Sequence, residues 1–146
     1  MEVRVTKHQF IELATPRPLV PHEREVLEFL VHGSEVAVCQ VAHASVTEEC
    51  VDHCGSLAFA VPREACGEIP TRNGLVANAE WRRGSDVRDV QDVLLFVEDG
   101  SLSLLETYRG DREVPHGLPQ VADLTMLIGP DGPAPWPDAP SRSADV

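Results

Sequence analysis

Hydrophobic and polar positions follow a helical period in the first third of the chain. Proline at position 21, acidic residues in the first turn and glycine at position 33 are typical of a helix over 21–33. Its apolar residues fall on one stripe, which predicts that this stripe packs on a core: Val26, Leu27, Phe29 and Leu30. Residues 35–43 fit either period, because their branched side chains suit a strand whereas Val36, Cys39 and His43 share a helical face. A helix is the preferred interpretation.

A two-residue turn at Asp99-Gly100 predicts a β-hairpin between the apolar runs 93–97 and 102–105. Pairing Glu98 with Ser101 continues to Val97 with Leu102 and Leu95 with Leu104. Because both faces of this hairpin are apolar, we expect a central position in a sheet.

Alternating patterns predict further strands. The clearer ones lie at 57–61 and 75–82, and weaker ones at 2–7, 46–51 and 121–128. Together with the helices they predict an α+β fold, a mostly antiparallel sheet of about four to six strands with one or two N-terminal helices packed on it.

The 146 residues suit a single domain. We place that domain at residues 1–128 and an extended proline-rich tail at 129–146, because proline removes a backbone donor and cannot continue a sheet or helix. Trp136 is the one large apolar residue of the tail, so it is expected to dock either on the body or on a partner.

The net charge of the chain restricts the kinds of macromolecule that it can bind. The net charge of −12 repels nucleic acid and anionic lipid, so a macromolecular partner is expected to be a neutral or basic protein. The sequence shows neither a signal peptide nor a membrane span, which predicts a cytoplasmic protein whose thiols stay reduced.

Residues 19–33 resemble the opening helix of the LuxR-type helix-turn-helix family through the run His22-Glu23-Arg24-Glu25-Val26-Leu27. That family then requires a basic recognition helix. Residues 34–54 contain no lysine or arginine and carry four acids, so DNA binding by this route is rejected.

The segment Cys50-Val51-Asp52-His53-Cys54 combines residue types that bind zinc. A zinc site could use Cys50, Cys54 and His53, completed by His43, Cys39 or Cys66. No second tight ligand pair exists in the chain, so zinc remains the alternative and no cofactor is the main expectation.

A catalytic cysteine is a further alternative, with Cys54 as nucleophile, His43 as base and Glu49 orienting the imidazole. The acidic neighbourhood of Cys54 opposes thiolate formation. The preferred interpretation is that the cysteines are small core residues and that the protein has no catalytic site.

Over residues 20–108, the run at 23–27, the cysteine segment and the hairpin run VLLFVEDG resemble a group of small actinobacterial proteins. The resemblance implies no activity, and it favours a short helix at 35–42 followed by a strand through Val46. Members of that group tend to show Cys-x-Cys-Gly-Cys, whereas this chain has Asp52 at the middle cysteine.

Two functions follow from these observations. The first is a protein-binding or accessory module without catalysis, existing as a monomer or homodimer. The alternative is a small enzyme or a metal- or ligand-binding domain with a site around Cys50, Cys54 and His43.

Overall fold

The computed structural model describes residues 9–51, 54–82, 90–109, 117–127 and 136. Within these ranges no helix has both the length and the apolar character needed to cross a membrane. The predicted strand at 2–7 and the predicted domain boundary between residues 128 and 129 lie outside the described residues.

One antiparallel sheet organises the described part of the chain, in the order β1-β2-β3-β6-β5-β4-β7. The strands are β1 (Phe10–Pro18), β2 (Ser45–Cys50), β3 (Leu57–Ala60), β4 (Gly74–Arg82), β5 (Val90–Glu98), β6 (Ser101–Arg109) and β7 (Thr125–Met126).

The α+β class is confirmed, but the sheet has seven strands rather than four to six. The additional strand is β1, which the alternation pattern did not predict because Pro16 and Pro18 are among its last three residues. Proline lacks a backbone donor and is tolerated at a sheet edge, which is where β1 lies.

The predicted hairpin is confirmed at its turn, where Asp99 and Gly100 have φ angles of 52° and 80°. The predicted register holds only for the first two pairs. A bulge at Ser103 then shifts the pairing, so Leu95 lies opposite Leu105 instead of Leu104. As a consequence Leu105 joins the main core and Leu104 turns to the other face of the sheet.

In the described part of the chain three α-helices accompany the sheet: α1 (Pro21–Leu30), α2 (Glu35–His43) and α3 (Arg63–Cys66). The two predicted helices are confirmed, yet they follow β1, and α3 comes between β3 and β4, so the helices are not simply N-terminal. The Glu23 carboxylate accepts a 3.0 Å hydrogen bond from Val20 N at the start of α1. Gly33, at φ 103°, follows the end of this helix.

The main core lies between one sheet face and helices α1 and α2. Helix α1 contributes its predicted stripe, with Val26, Leu27 and Leu30 fully buried and Phe29 half-buried. Trp136 also joins this core, and its Nε1 donates a 3.2 Å hydrogen bond to Leu30 O. Trp136 was expected to dock either on the body of the protein or on a partner, and in the structure it docks on the body.

Candidate functional site

The two cysteines of the predicted segment, Cys50 and Cys54, lie in the interior with 3% and 0% of their surface exposed. Cys50 N donates to Ser56 O, and Thr107 Oγ1 donates to Cys54 O at 2.9 Å. Cys50 therefore ends β2, and Cys54 lies in the connection from β2 to β3, where it is bonded to β6. The other residue of the predicted zinc set, His53, lies outside the described residues.

Glu49, the predicted acid of the catalytic alternative, forms an ion pair with Arg17, with 2.7 Å between Glu49 Oε2 and Arg17 Nε. The same guanidinium contacts Glu23 at 2.9 Å, so it links β1, β2 and the start of α1. The hydrogen bond to Glu23, and after it the bond to Glu49, raise the pKa of Arg17. Glu49 is thus engaged by a cation, while the contacts of His43 go to other residues.

His43 lies beside Cys39 and Cys66, which sequence reasoning had named only as possible completing ligands. Its Nδ1 is 3.8 Å from Cys39 Sγ and 3.6 Å from Cys66 Sγ. Among the described residues, these three form the group of metal-ligating side chains whose donor atoms all lie within 4.8 Å of one another. Neither Cys50 nor Cys54 belongs to it.

Cys39 and Cys66 are joined as a disulfide, with sulfurs 2.08 Å apart, across 27 residues of sequence. The expectation that all thiols stay reduced is therefore wrong for this pair. Both cysteines are half-buried at the surface rather than in the core, because α2 turns Cys39 and His43 outward while its opposite side packs inward. Cys66 is the last residue of α3, and Gly67 follows at φ 84°.

Gln40, next to Cys39, holds this region together from inside. Its side chain is fully buried, and Nε2 donates to Gly67 O and Gly100 O, each at 3.0 Å. Its Oε1 accepts a 2.9 Å bond from Leu102 N. One amide therefore connects α2 to the residue after α3 and to the β5–β6 turn, independently of the disulfide.

A second candidate site lies on the sheet face opposite α1 and α2. Side chains alternate across a strand, so the neighbours of the core residues Ala77, Ala79, Val93, Leu95 and Leu105 point to this other face. We call it the carboxylate face, and it comprises Asn78, Glu80, Asp92, Leu94, Phe96, Leu104, Glu106 and Tyr108.

The centre of the carboxylate face is a cross-strand row in which Glu80 is opposite Asp92 and Asp92 is opposite Tyr108. Burial and then the charge of Glu80 raise the pKa of Asp92, while the Tyr108 hydroxyl bond and Arg82 act against that shift. Burial, followed by the charge of Asp92 and their hydrogen bond, raises the pKa of Tyr108. Two carboxylates are thus held together in a partly desolvated place.

The next row adds a further acceptor and an apolar floor. Asn78 lies opposite Leu94, and the buried Asn78 Oδ1 has no hydrogen-bond partner among the described residues. Leu94 is 5% exposed and lies outside the main core cluster, and Phe96 beside it is half-buried. Acceptors therefore exceed donors on this face, next to apolar surface.

The chain was compared with models of known protein families, with curated proteins and with solved structures, and no match was found in any of the three comparisons.

Proposed function

We propose that the protein is a binding module without catalysis, and that a basic segment of a partner protein docks on its carboxylate face. The observation that supports this most directly is the Glu80–Asp92 pair, because burial and then the charge of Glu80 raise the pKa of Asp92. A lysine or arginine side chain placed between them supplies both a positive charge and hydrogen-bond donors.

Arg82 only partly meets this need within the chain. Its Nη2 contacts Glu80 at 3.2 Å, and 47% of the arginine side chain is exposed. Such an exposed pair contributes about 0 to 1 kcal/mol. A cation of the partner that pairs with the half-buried Asp92 is therefore expected to contribute more binding free energy than the exposed Arg82–Glu80 pair contributes to stability.

The surroundings of the carboxylate pair also match a lysine or arginine stem. Tyr108 and Phe96 are half-buried, so both offer apolar ring surface on this face. Basic side chains commonly lay their methylene stems on such surface and direct their charged ends to acceptors. The net charge of −12 adds a long-range field that accelerates encounter with a basic protein.

The experiment is a titration of the isotope-labelled full chain with a short arginine-rich peptide, followed by NMR and by calorimetry. We compare the double variant Glu80→Gln/Asp92→Asn with the double variant Glu25→Gln/Glu28→Gln, whose residues are exposed on α1. Both variants lose the same amount of charge. The first is expected to weaken peptide binding at least tenfold, which corresponds to about 1.4 kcal/mol, and the second less than about twofold.

Equal losses in the two variants would mean that the peptide responds to net charge alone, and the proposal would be wrong. Chemical-shift changes confined to α1 and α2 would contradict it in the same way, because these helices lie on the opposite side of the sheet.

A further inference from the structure

We infer that Cys39, His43 and Cys66 bind one Zn²⁺ ion when their disulfide is reduced, and that oxidation of the two thiolates releases it. The site is separate from the carboxylate face and does not depend on the function proposed for that face. It would give the protein a zinc-loaded form under reducing conditions and a disulfide form under oxidising conditions.

The distances from His43 Nδ1 to the two sulfurs match those of a tetrahedral zinc site. With Zn–N near 2.0 Å and Zn–S near 2.3 Å, tetrahedral angles require N···S separations of about 3.5 Å and an S···S separation of about 3.8 Å. The observed Nδ1···Sγ distances are 3.6 and 3.8 Å. The two sulfurs are bonded to each other in the disulfide, so reduction must come before both can bind one ion.

Two of the three ligands come from one helix at a spacing suited to a shared ion. Cys39 and His43 are four residues apart on α2, so their side chains lie on one face, one turn from each other. Helix α2 is held by its buried side, which includes Ala37 and Val41, and by the Ser34 hydroxyl that accepts from Ala37 N at 3.0 Å. These two ligands therefore stay in place when the disulfide opens.

The third ligand stays near them because a second connection crosses the same gap. Gln40 Nε2 donates to Gly67 O, the residue after Cys66, and this bond is unaffected by reduction. The sulfurs are half-buried and the imidazole is exposed, so a reductant and a metal ion can both approach. A water molecule completes the four ligands, as in sites with three protein donors.

The redox step is a thiol–disulfide exchange. A dithiol reductant transfers two electrons and two protons to the Cys39–Cys66 bond, which breaks to give two thiols, and the reductant becomes a disulfide. Zinc then displaces the two thiol protons into solvent. His43 Nδ1 donates to Cys39 O at 3.0 Å in the disulfide form, so this bond must break and the ring proton must move to Nε2 before Nδ1 can give its lone pair to the ion. In the reverse direction, a disulfide oxidant accepts two electrons from the thiolates, the sulfur–sulfur bond re-forms, and the ion leaves.

The test uses the full chain and Co²⁺ as a spectroscopic substitute for zinc. Reduction with a phosphine, which offers no competing thiol, should expose two alkylatable cysteines in folded protein. Cobalt should then bind one per chain, with a thiolate charge-transfer band that zinc abolishes. Reoxidation by a disulfide should release the metal, which a chromogenic chelator measures.

Matched variants identify the ligands. We expect Cys39→Ser and Cys66→Ser to remove most of the charge-transfer band, and His43→Ala to weaken binding at least tenfold. His32→Ala, which removes an exposed histidine from the residues after α1, is expected to bind as the reduced wild type does. The variant Cys50→Ala/Cys54→Ala should keep the band.

Three outcomes would overturn the inference. The disulfide could resist the phosphine in folded protein, the reduced folded chain could bind no stoichiometric cobalt, or His43→Ala could bind as tightly as His32→Ala. Loss of peptide binding at the carboxylate face would leave this inference unaffected, because the two experiments use different residues and different probes.

Discussion

Replacing Gln40 with leucine removes the amide that joins α2, the residue after α3 and the β5–β6 turn. Leucine is close to glutamine in volume, so the substitution tests the hydrogen bonds more than the packing. Gly100 O keeps a second donor, since Ile69 N contacts it at 2.8 Å. Leu102 N, in contrast, loses the Gln40 oxygen in a residue that is only 1% exposed.

The expected loss of stability follows from what happens to the former partners of the Gln40 amide. A buried donor left without a partner costs about 1 to 3 kcal/mol, and the partly buried Gly67 O, which can turn to water, adds less. We therefore expect Gln40→Leu to lower the free energy of unfolding by about 2 to 3 kcal/mol, a large share of the stability of a small domain.

Urea unfolding followed by circular dichroism measures this change, with Gln120→Leu as the control. Gln120 is exposed, and its side chain makes no capping bond, so its loss should cost under about 0.5 kcal/mol. A Gln40→Leu midpoint equal to that of the control would refute the reasoning, because the buried amide would then contribute nothing.

The remaining predictions concern backbone conformation and pH. Gly67→Ala should cost about 1 to 3 kcal/mol, because its φ of 84° and ψ of −175° are a combination that essentially only glycine adopts. Backbone strain is the whole cost, since a Cβ there meets nothing within 4 Å. Gly100→Ala should cost more, since its Cβ would lie 2.7 Å from Glu68 Cβ; equal thermal shifts in the two variants would contradict this. The raised pKa of Asp92 means that the folded state binds this proton more tightly than the unfolded chain, in which the pKa of Asp92 is near 3.8. The stability that this proton contributes to the folded state is fully present below pH 3.8. It is lost as the pH rises through the pKa of Asp92 in the folded state. Asp92→Asn should therefore gain stability relative to the wild type as pH increases, and a difference independent of pH in urea titrations would exclude the effect.

Local chemistry explains which parts of the fold could be predicted. The apolar stripe of α1 and the two positive φ angles of Asp99-Gly100 depend on neighbouring residues, so they can be inferred from a short stretch of sequence. The bulge at Ser103 could not be inferred in this way, because no residue type in the run marks it. Strand β1 was missed because its prolines are tolerated only at an edge, and the sequence does not say which strand is the edge.

In the candidate sites too, the features set by neighbouring residues could be predicted, and those set by long-range contacts could not. The shared helical face of Cys39 and His43 is visible in the sequence, because a four-residue spacing is a local property. Cys66 is 27 residues from its disulfide partner and is brought there by the chain's path through two strands and α3, which spacing alone cannot reveal. Similarly, Glu80 and Asp92 become neighbours only through the β4–β5 register.

The two proposed sites use the same hairpin in different ways. Gln40 bonds to Gly100 O and Leu102 N at the turn, whereas Asp92 and Tyr108 lie near the opposite end of β5 and β6 and on the other face. The bulged β5–β6 ladder lies between them, and neither Cys39 nor Cys66 belongs to any pair of that ladder. Reduction of Cys39–Cys66 should therefore change metal content without changing the affinity of the carboxylate face. If affinity does follow redox state, the α2 contact with the turn is the structural element that must carry the coupling.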